Sequence, residues 1–232
     1  PSCKLNIDRI EITSNIDDIF NYADLIIIAT PSEFLSQIFK SNKQELNKKS
    51  IISAVKGVIT PSNQTPREFF NELNNNIDYG VISGPCHAEE VALNKKSYLT
   101  LSVRNENTGQ FLASIFTTNH IKIKLSNDVV GTELSAILKN VYALVTGICF
   151  GLGYGDNFLA VLITACANEM EKALYVLDNK ERSISQSAYL GDLLVTCYSL
   201  HSRNRRFGNY IGKGYSVDAT KSAMNMVAEG YN

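Results

Sequence analysis

The chain has 232 residues, enough for one large domain or two small ones, and its 44% apolar content supports a true core. A formal net charge of -1 leaves no general electrostatic case for nucleic acid or an anionic membrane as partner. The longest apolar runs, Leu25 to Ala29 and Val141 to Phe150, are too short to span a bilayer.

The five cysteines are odd in number and scattered, with no Cys-x-x-Cys pair. Reduced thiols in a cytoplasmic setting are expected, rather than disulfides or a zinc site. The N-terminus is polar and is not a signal peptide. The chain starts at Pro1 without a methionine and stops at Asn232 directly after a motif, so a fragment shortened at both ends is expected.

Up to about residue 126 the pattern alternates strand and helix. Leu25 to Ala29 is a short continuous apolar run, as in a strand buried on both faces of a parallel sheet. It stops at Thr30-Pro31, from which a helix can start through Phe34, Leu35 and Ile38. A polar linker over 41–50 leads to a second run, Ile51 to Val55, ended by Lys56-Gly57. A helix over 61–73 follows, then a third run, Tyr79 to Ser83, ended by Gly84-Pro85. Helix 88–93, strand 98–103, helix 108–116 and strand 120–125 complete the alternation. An α/β parallel sheet follows from this order, with ligands expected beyond the carboxyl ends of its strands.

From Ser126 the strand pattern stops. Apolar residues from Leu134 to Ile148 recur at helical spacing, which predicts one buried face on a helix over 129–150. Ser135, Lys139, Tyr142 and Thr146 fall on another face. Lys139 is the only cation between Lys124 and Lys172. A lysine held in apolar surroundings has its pKa lowered toward the range useful for proton transfer, whereas the ordinary alternative is a solvated side chain. Asp156 is expected to N-cap a second long helix. A charged loop, a helix over 188–198 and a last helix from about Ser216 complete a helical unit.

The glycine cluster Gly151-Leu152-Gly153-Tyr154-Gly155 follows a helix and lacks G-x-G-x-x-G spacing, so it is not a dinucleotide fingerprint. Arg203, Arg205 and Arg206, beside Ser202 and Asn204, carry the chemistry of phosphate capture, a solvated basic helix start being the alternative. Cys86 and His87 are sequence neighbours whose side chains should diverge, which disfavours a Cys-His nucleophile. His120 and His201 have no partners at metal-ligand spacing, and no metal is expected.

Taken together, the stretches from Ser83 to Ala92, Gly131 to Ala143 and Gly151 to Asn157 carry a resemblance, joined by Gly191 to Cys197, Ser202 to Gly208 and Met226 to Gly230. In order and spacing they resemble the bacterial NAD(P)-dependent glycerol-3-phosphate dehydrogenases. The resemblance implies a partial Rossmann domain over 1–126 and a helical substrate-binding domain over 127–232, incomplete at its C-terminus. It implies NAD or NADP as cofactor and reversible reduction of dihydroxyacetone phosphate to sn-glycerol 3-phosphate, feeding glycerophospholipid synthesis.

By the same resemblance Lys139 matches the proton acceptor, and Lys56 a lysine that touches substrate and cofactor. Gly84, Cys86, Asp192, Ser202, Arg203 and Asn204 match substrate contacts. Ala88, Val227 and Glu229 match cofactor contacts, and Arg203 reaches the cofactor as well. The resemblance allows a homodimer. Cys86-His87 departs from the family's serine or threonine followed by phenylalanine, and the glycine fingerprint is absent. A related two-domain hydroxy-acid or sugar-phosphate dehydrogenase, or a non-catalytic interaction module, are the competing readings.

Overall fold

The computed structural model describes residues 7–40, 46, 49–224 and 228–231. In chain order its elements begin with α1 (Ile16–Tyr22), β1 (Leu25–Ile28), α2 (Leu35–Phe39) and β2 (Ser50–Ser53). Next come α3 (Pro66–Leu73), β3 (Asp78–Ser83), α4 (Ala88–Ala92), β4 (Ser97–Ser102), α5 (Glu106–Phe116) and β5 (Ile121–Ser126). The helical part is α6 (Val129–Gly151), α7 (Asp156–Asp178), a π turn (Ser187–Gly191), α8 (Asp192–Tyr198), α9 (Arg203–Gly212) and α10 (Val217–Ala223).

The five strands form one sheet in sequence order. β1, β2 and β3 are parallel, with Leu25 opposite Ser50 and Ser50 opposite Asp78. The fully parallel expectation fails at one place: β3 and β4 are antiparallel, with Ile82 opposite Leu101. The chain makes this reversal through Gly84, whose φ of +138° suits a residue without a Cβ. Because β1 to β3 share a direction, Thr30, Lys56 and Gly84 follow strand ends on one edge of the sheet.

Helices cover both sheet faces. One core joins Ile26, Ile51 and Tyr79 to an edge-to-face aromatic chain of Phe20, Phe39, Phe70 and Phe69. On the other face Ile52, Leu101 and Val103 pack with Leu112 of α5. Helix α3 starts at Pro66, later than the sequence suggested. Thr65 and Glu68 form a reciprocal capping box there, while 60–63 is a turn closed by a bridge between Ile59 and Gln64.

Helix α6 is the centre of the second part, and it is buried on more than the side the sequence suggested. Leu134, Leu138 and Leu144 of the apolar face pack against the cores, but Val141 and Val145 are 42% and 38% exposed, while Ser135, Lys139, Tyr142 and Thr146 on the polar face are all buried. Close packing on both sides explains the difference. A Cβ at Gly147 would run into the Arg205 backbone, and one at Gly208 into the carbonyl of Leu144. Helices α6 and α9 therefore cross backbone to backbone. The polar face of α6 meets the π turn and α8, where Tyr142, Tyr189, Leu193 and Cys197 join Met170 and Leu174 of α7 in one core.

Among the described residues α6 is the one helix long and apolar enough, by length and composition, to cross a membrane. Averaging over its small residues gives that result, although no single apolar run is long enough. Glu133 and Lys139 on α6 are nevertheless buried against protein. Helix α7 is capped by Gly155 without a side-chain bond, so Asp156 is its first residue rather than its N-cap. There its charge still complements the helix dipole. The helix expected over 188–198 divides into the π turn and α8.

Candidate active site

The site lies where the carboxyl ends of β1, β2 and β3 meet the buried face of α6. Lys139 is 3% exposed and makes an ion pair with Asp192, which is 1% exposed. Asp192 starts α8, directly after the π turn. Its Oδ1 faces the lysine. Its Oδ2 accepts the Ser83 hydroxyl at 3.0 Å and the Gly84 N–H at 3.1 Å.

Two charges withdrawn from water are a poor bargain unless their remaining hydrogen-bonding capacity is filled. Here the carboxylate is filled by donors at the end of β3. The aspartate thus bridges the sheet and the lysine helix.

Electrostatics leave Lys139 poised. Burial pushes its pKa down, Asp192 pulls it back up, and the neighbouring Lys56 lowers it again, to about 7. Burial pushes Asp192 the other way, but Lys139 and Lys56 outweigh it and hold the carboxyl below its ordinary range. A lysine near neutrality can give or take a proton at physiological pH.

Lys56 follows β2, as the sequence led us to expect. Its carbonyl accepts a hydrogen bond from Asn140 Nδ2 at 3.0 Å. Asn140, the residue after Lys139, thereby ties the end of β2 to α6. It was not singled out from the sequence, although its place in Leu138-Lys139-Asn140 was the available signal.

Cys86 lies near Lys56, Lys139 and Asp192, and burial raises its pKa against a hydrogen bond with Ser97. The His87 ring lies 5.7 Å from that of His201. Burial and His201 push the His87 pKa down. Its Nε2 is buried without a hydrogen-bond partner among the described residues. Ala88 opens α4 and is exposed.

The basic cluster is divided by the helix it forms. Ser202 N-caps α9 by accepting the Arg205 N–H at 3.3 Å. Asn204 is buried and accepts the Gly230 N–H at 2.9 Å. Arg203 is exposed, but Arg205 turns inward, its guanidinium 4.4 Å from the centre of the Phe150 ring. The three arginines therefore do not act as one clamp, because neighbouring helical positions point in different directions. Arg203 and Arg206 both stay exposed, three residues apart on α9, and of the two it is Arg203 that the resemblance names as an anion contact.

Glu229 reaches across to the turn that follows β1, accepting the Ser32 hydroxyl at 2.9 Å and the Ser32 N–H at 3.3 Å. A Cβ on Gly57 would strike this carboxylate and the Ser32 hydroxyl. Ser32 was also missed, since only burial in the fold distinguishes it from other serines. Val227 lies outside the described residues.

Parallel strands whose carboxyl ends meet a buried, pKa-lowered lysine on a helical unit define the architecture of a dinucleotide-dependent dehydrogenase. Models of NAD-dependent glycerol-3-phosphate dehydrogenase match the chain twice, the N-terminal part over residues 2–109 and the C-terminal part over residues 128–232. The chain belongs to the NAD-dependent glycerol-3-phosphate dehydrogenase family.

Its relatives include the NAD(P)+ glycerol-3-phosphate dehydrogenase of Syntrophomonas wolfei, 35% identical, with 99% of this chain and 68% of that protein covered. That of Clostridium botulinum is 37% identical, over 97% of this chain and 70% of that protein. The crystal structure of the Coxiella burnetii glycerol-3-phosphate dehydrogenase superimposes with a TM-score of 0.88 at 30% identity. It covers 94% of this chain and 67% of that one. The chain thus spans about two thirds of the length of these relatives.

NAD(P) is the family's cofactor. The Cβ position of Gly57 is filled by the Glu229 carboxylate and the Ser32 hydroxyl, so polar groups gather at the carboxyl ends of β1 and β2, where α/β sheets hold their ligands. No G-x-G-x-x-G turn occurs in this sequence to hold a pyrophosphate.

Proposed function

We propose that Lys139 exchanges the proton in the NAD(P)-dependent interconversion of dihydroxyacetone phosphate and sn-glycerol 3-phosphate. The observation that carries this reading is the buried Lys139–Asp192 pair at the sheet edge. The cofactor, when bound, supplies or accepts the hydride. As an ammonium, Lys139 donates a proton to the substrate oxygen during ketone reduction and stabilises the negative charge that develops there. As an amine it takes the proton back during alcohol oxidation.

Asp192 orients the Lys139 ammonium. Lys56 faces both substrate and cofactor, and Gly84 and Cys86 line the substrate side. Arg203, supported by Ser202 and Asn204, holds the phosphate and reaches the cofactor. Ala88, Val227 and Glu229 complete the cofactor contacts. In this reading residues 1–126 are the partial cofactor domain and 127–232 the substrate domain. The product feeds glycerophospholipid synthesis in the cytoplasm, a setting supported by the free thiols of Cys86, Cys149, Cys166 and Cys197. The protein acts as a homodimer, for which exposed Phe158 and Val161 on α7 offer apolar surface.

The test is reduction of dihydroxyacetone phosphate followed through consumption of the reduced cofactor, in the natural chain and in Lys139→Met. Loss of turnover with binding retained supports the assignment. Unchanged turnover overturns it, and faster turnover of a phosphate-free hydroxy acid overturns the substrate.

A further inference from the structure

We infer that the Asp128–Arg182–Tyr189 cluster, outside the substrate site, positions the Lys139–Asp192 pair by fixing both partners from one carboxylate. Asp128 is the N-cap of α6, its Oδ1 accepting the Gly131 N–H at 3.1 Å. Lys139 lies eleven residues further along that rigid helix, about 16 Å at the usual rise. The Oδ2 of the same carboxylate accepts the Tyr189 hydroxyl at 2.5 Å. Tyr189 belongs to the π turn, which runs straight into Asp192. One side chain therefore holds the start of the lysine helix and the turn that presents the lysine's partner.

Arg182 locks this carboxylate in place. Its Nε donates to Oδ2 at 2.6 Å and its Nη2 to Oδ1 at 3.0 Å, the bidentate geometry that fixes orientation as well as distance. Its Nη1 donates to the carbonyls of Leu174 and Lys180, anchoring the end of α7 and the following loop. Burial pushes the Asp128 carboxyl up, but the bonds from Arg182, Tyr189 and Gly131 outweigh it and hold it at about 2. It stays ionised across any working pH.

The remaining contacts form a seam. Ser135, on the same face of α6, donates mainly to the Thr132 carbonyl at 3.0 Å and more weakly to the Ala188 carbonyl of the turn at 3.4 Å. Thr100 of β4 meets Ser187 at 3.3 Å. The turn is thus joined to α6 at Asp128 and Ser135, with the next step along that face being Lys139 itself. Single π turns are frequent at functional sites, and this one leads directly into the aspartate. The groups that face Lys139 are Asp192 and Cys197 from α8, Lys56 after β2, and Cys86 and His87 after β3.

The catalytic meaning of this device rests on the role proposed for Lys139, but its geometry can be tested independently. Isotope-labelled lysine in the full chain reports the titration of Lys139, identified by its loss in Lys139→Met. Tyr189→Phe removes one hydroxyl and keeps the ring. We expect the Lys139 midpoint to fall by about half to one unit, because the pull of Asp192 weakens while burial remains. We also expect kcat to fall roughly tenfold with KM for the phosphate substrate little changed.

Lys180→Ala removes a half-exposed ammonium 3.7 Å from the same carboxylate, and should leave the midpoint in place. Asp128→Asn should act as Tyr189→Phe does, more strongly, if it folds. A natural midpoint in Tyr189→Phe, with only lower thermal stability, overturns the inference. Failure of the Lys139 assignment has a different signature, namely turnover that survives Lys139→Met.

Discussion

The Lys139 ammonium and the Asp192 carboxylate meet in the buried seam between α6 and α8, and the second oxygen of Asp192 is bound to the end of β3. The ion pair is therefore also the joint between the sheet and the helical part. Chemistry and architecture share one carboxylate.

Removing one partner should separate these two roles. Lys139→Met is expected to lower turnover by a factor of about a thousand, the range seen when an acid–base group is lost. It also leaves Asp192 buried without its cation, at a cost of about 3 kcal/mol. Adding Asp192→Asn should recover most of that stability and none of the activity. Denaturant unfolding and initial rates on the four chains of the cycle would check both. Independent, additive stability losses would contradict the coupling.

The pH dependence follows from the lysine near 7. Alcohol oxidation needs the amine and should rise as pH increases through about 7. Ketone reduction needs the ammonium and should fall over the same interval. Lys56 lowers the Lys139 pKa, so Lys56→Met should move both limbs to higher pH while weakening binding. Rate profiles in both directions, at saturating substrate, would decide it. Limbs that stay in place would show that another group controls the proton.

At Gly57 the limit is steric. Gly57→Ala places a methyl group against the Glu229 carboxylate and Ser32 hydroxyl, where there is no space. The cofactor contact proposed for Glu229 should be displaced, weakening binding of the reduced cofactor about tenfold, roughly 1.4 kcal/mol. Titration of cofactor fluorescence would measure it. Glu229→Gln keeps an acceptor for Ser32 and should be milder. If both variants bind as the natural chain does, Glu229 is not a cofactor contact.

His87 is expected to cost stability as it stands. Its Nε2 is buried and unpartnered among the described residues, and the ring faces another histidine. His87→Phe fills the same space without a polar atom, and should raise stability by about 1 kcal/mol. The comparison is best made by denaturant unfolding near neutral pH. A loss of stability would indicate that Nε2 has a partner in solution.

Much of the first part of the fold could be read directly from local pattern. Short apolar runs ended by Thr30-Pro31, Lys56-Gly57 and Gly84-Pro85 became β1, β2 and β3; β2 and β3 are covered on both faces, whereas β1, at the end of the sheet, leaves Ile27 48% exposed, contrary to its unbroken apolar run. The direction of β4 could not be read, because antiparallel pairing depends on the path taken after Gly84 rather than on the composition of Ser97–Ser102. In the second part, periodicity found α6 and its partly buried apolar face but missed that the polar face is the more deeply buried one. Leu, Ile and Val mark where apolar surface is, and not where two helices come close enough for Gly147 and Gly208 to touch backbone.

An isolated lysine on a long apolar helix, the ligand-facing ends of three strands, and the motifs that mark the family were all legible before the chain was folded. Those are local properties, set by residue type and spacing. Only the tertiary structure decided that Asp192 is the partner of Lys139, that Arg205 turns inward onto Phe150 while Arg203 stays outside, and that Asn140 and Ser32 tie the strand ends down. Each of these joins residues far apart in the chain. The lysine's pKa likewise depends on the water excluded around it, which packing sets and spacing cannot.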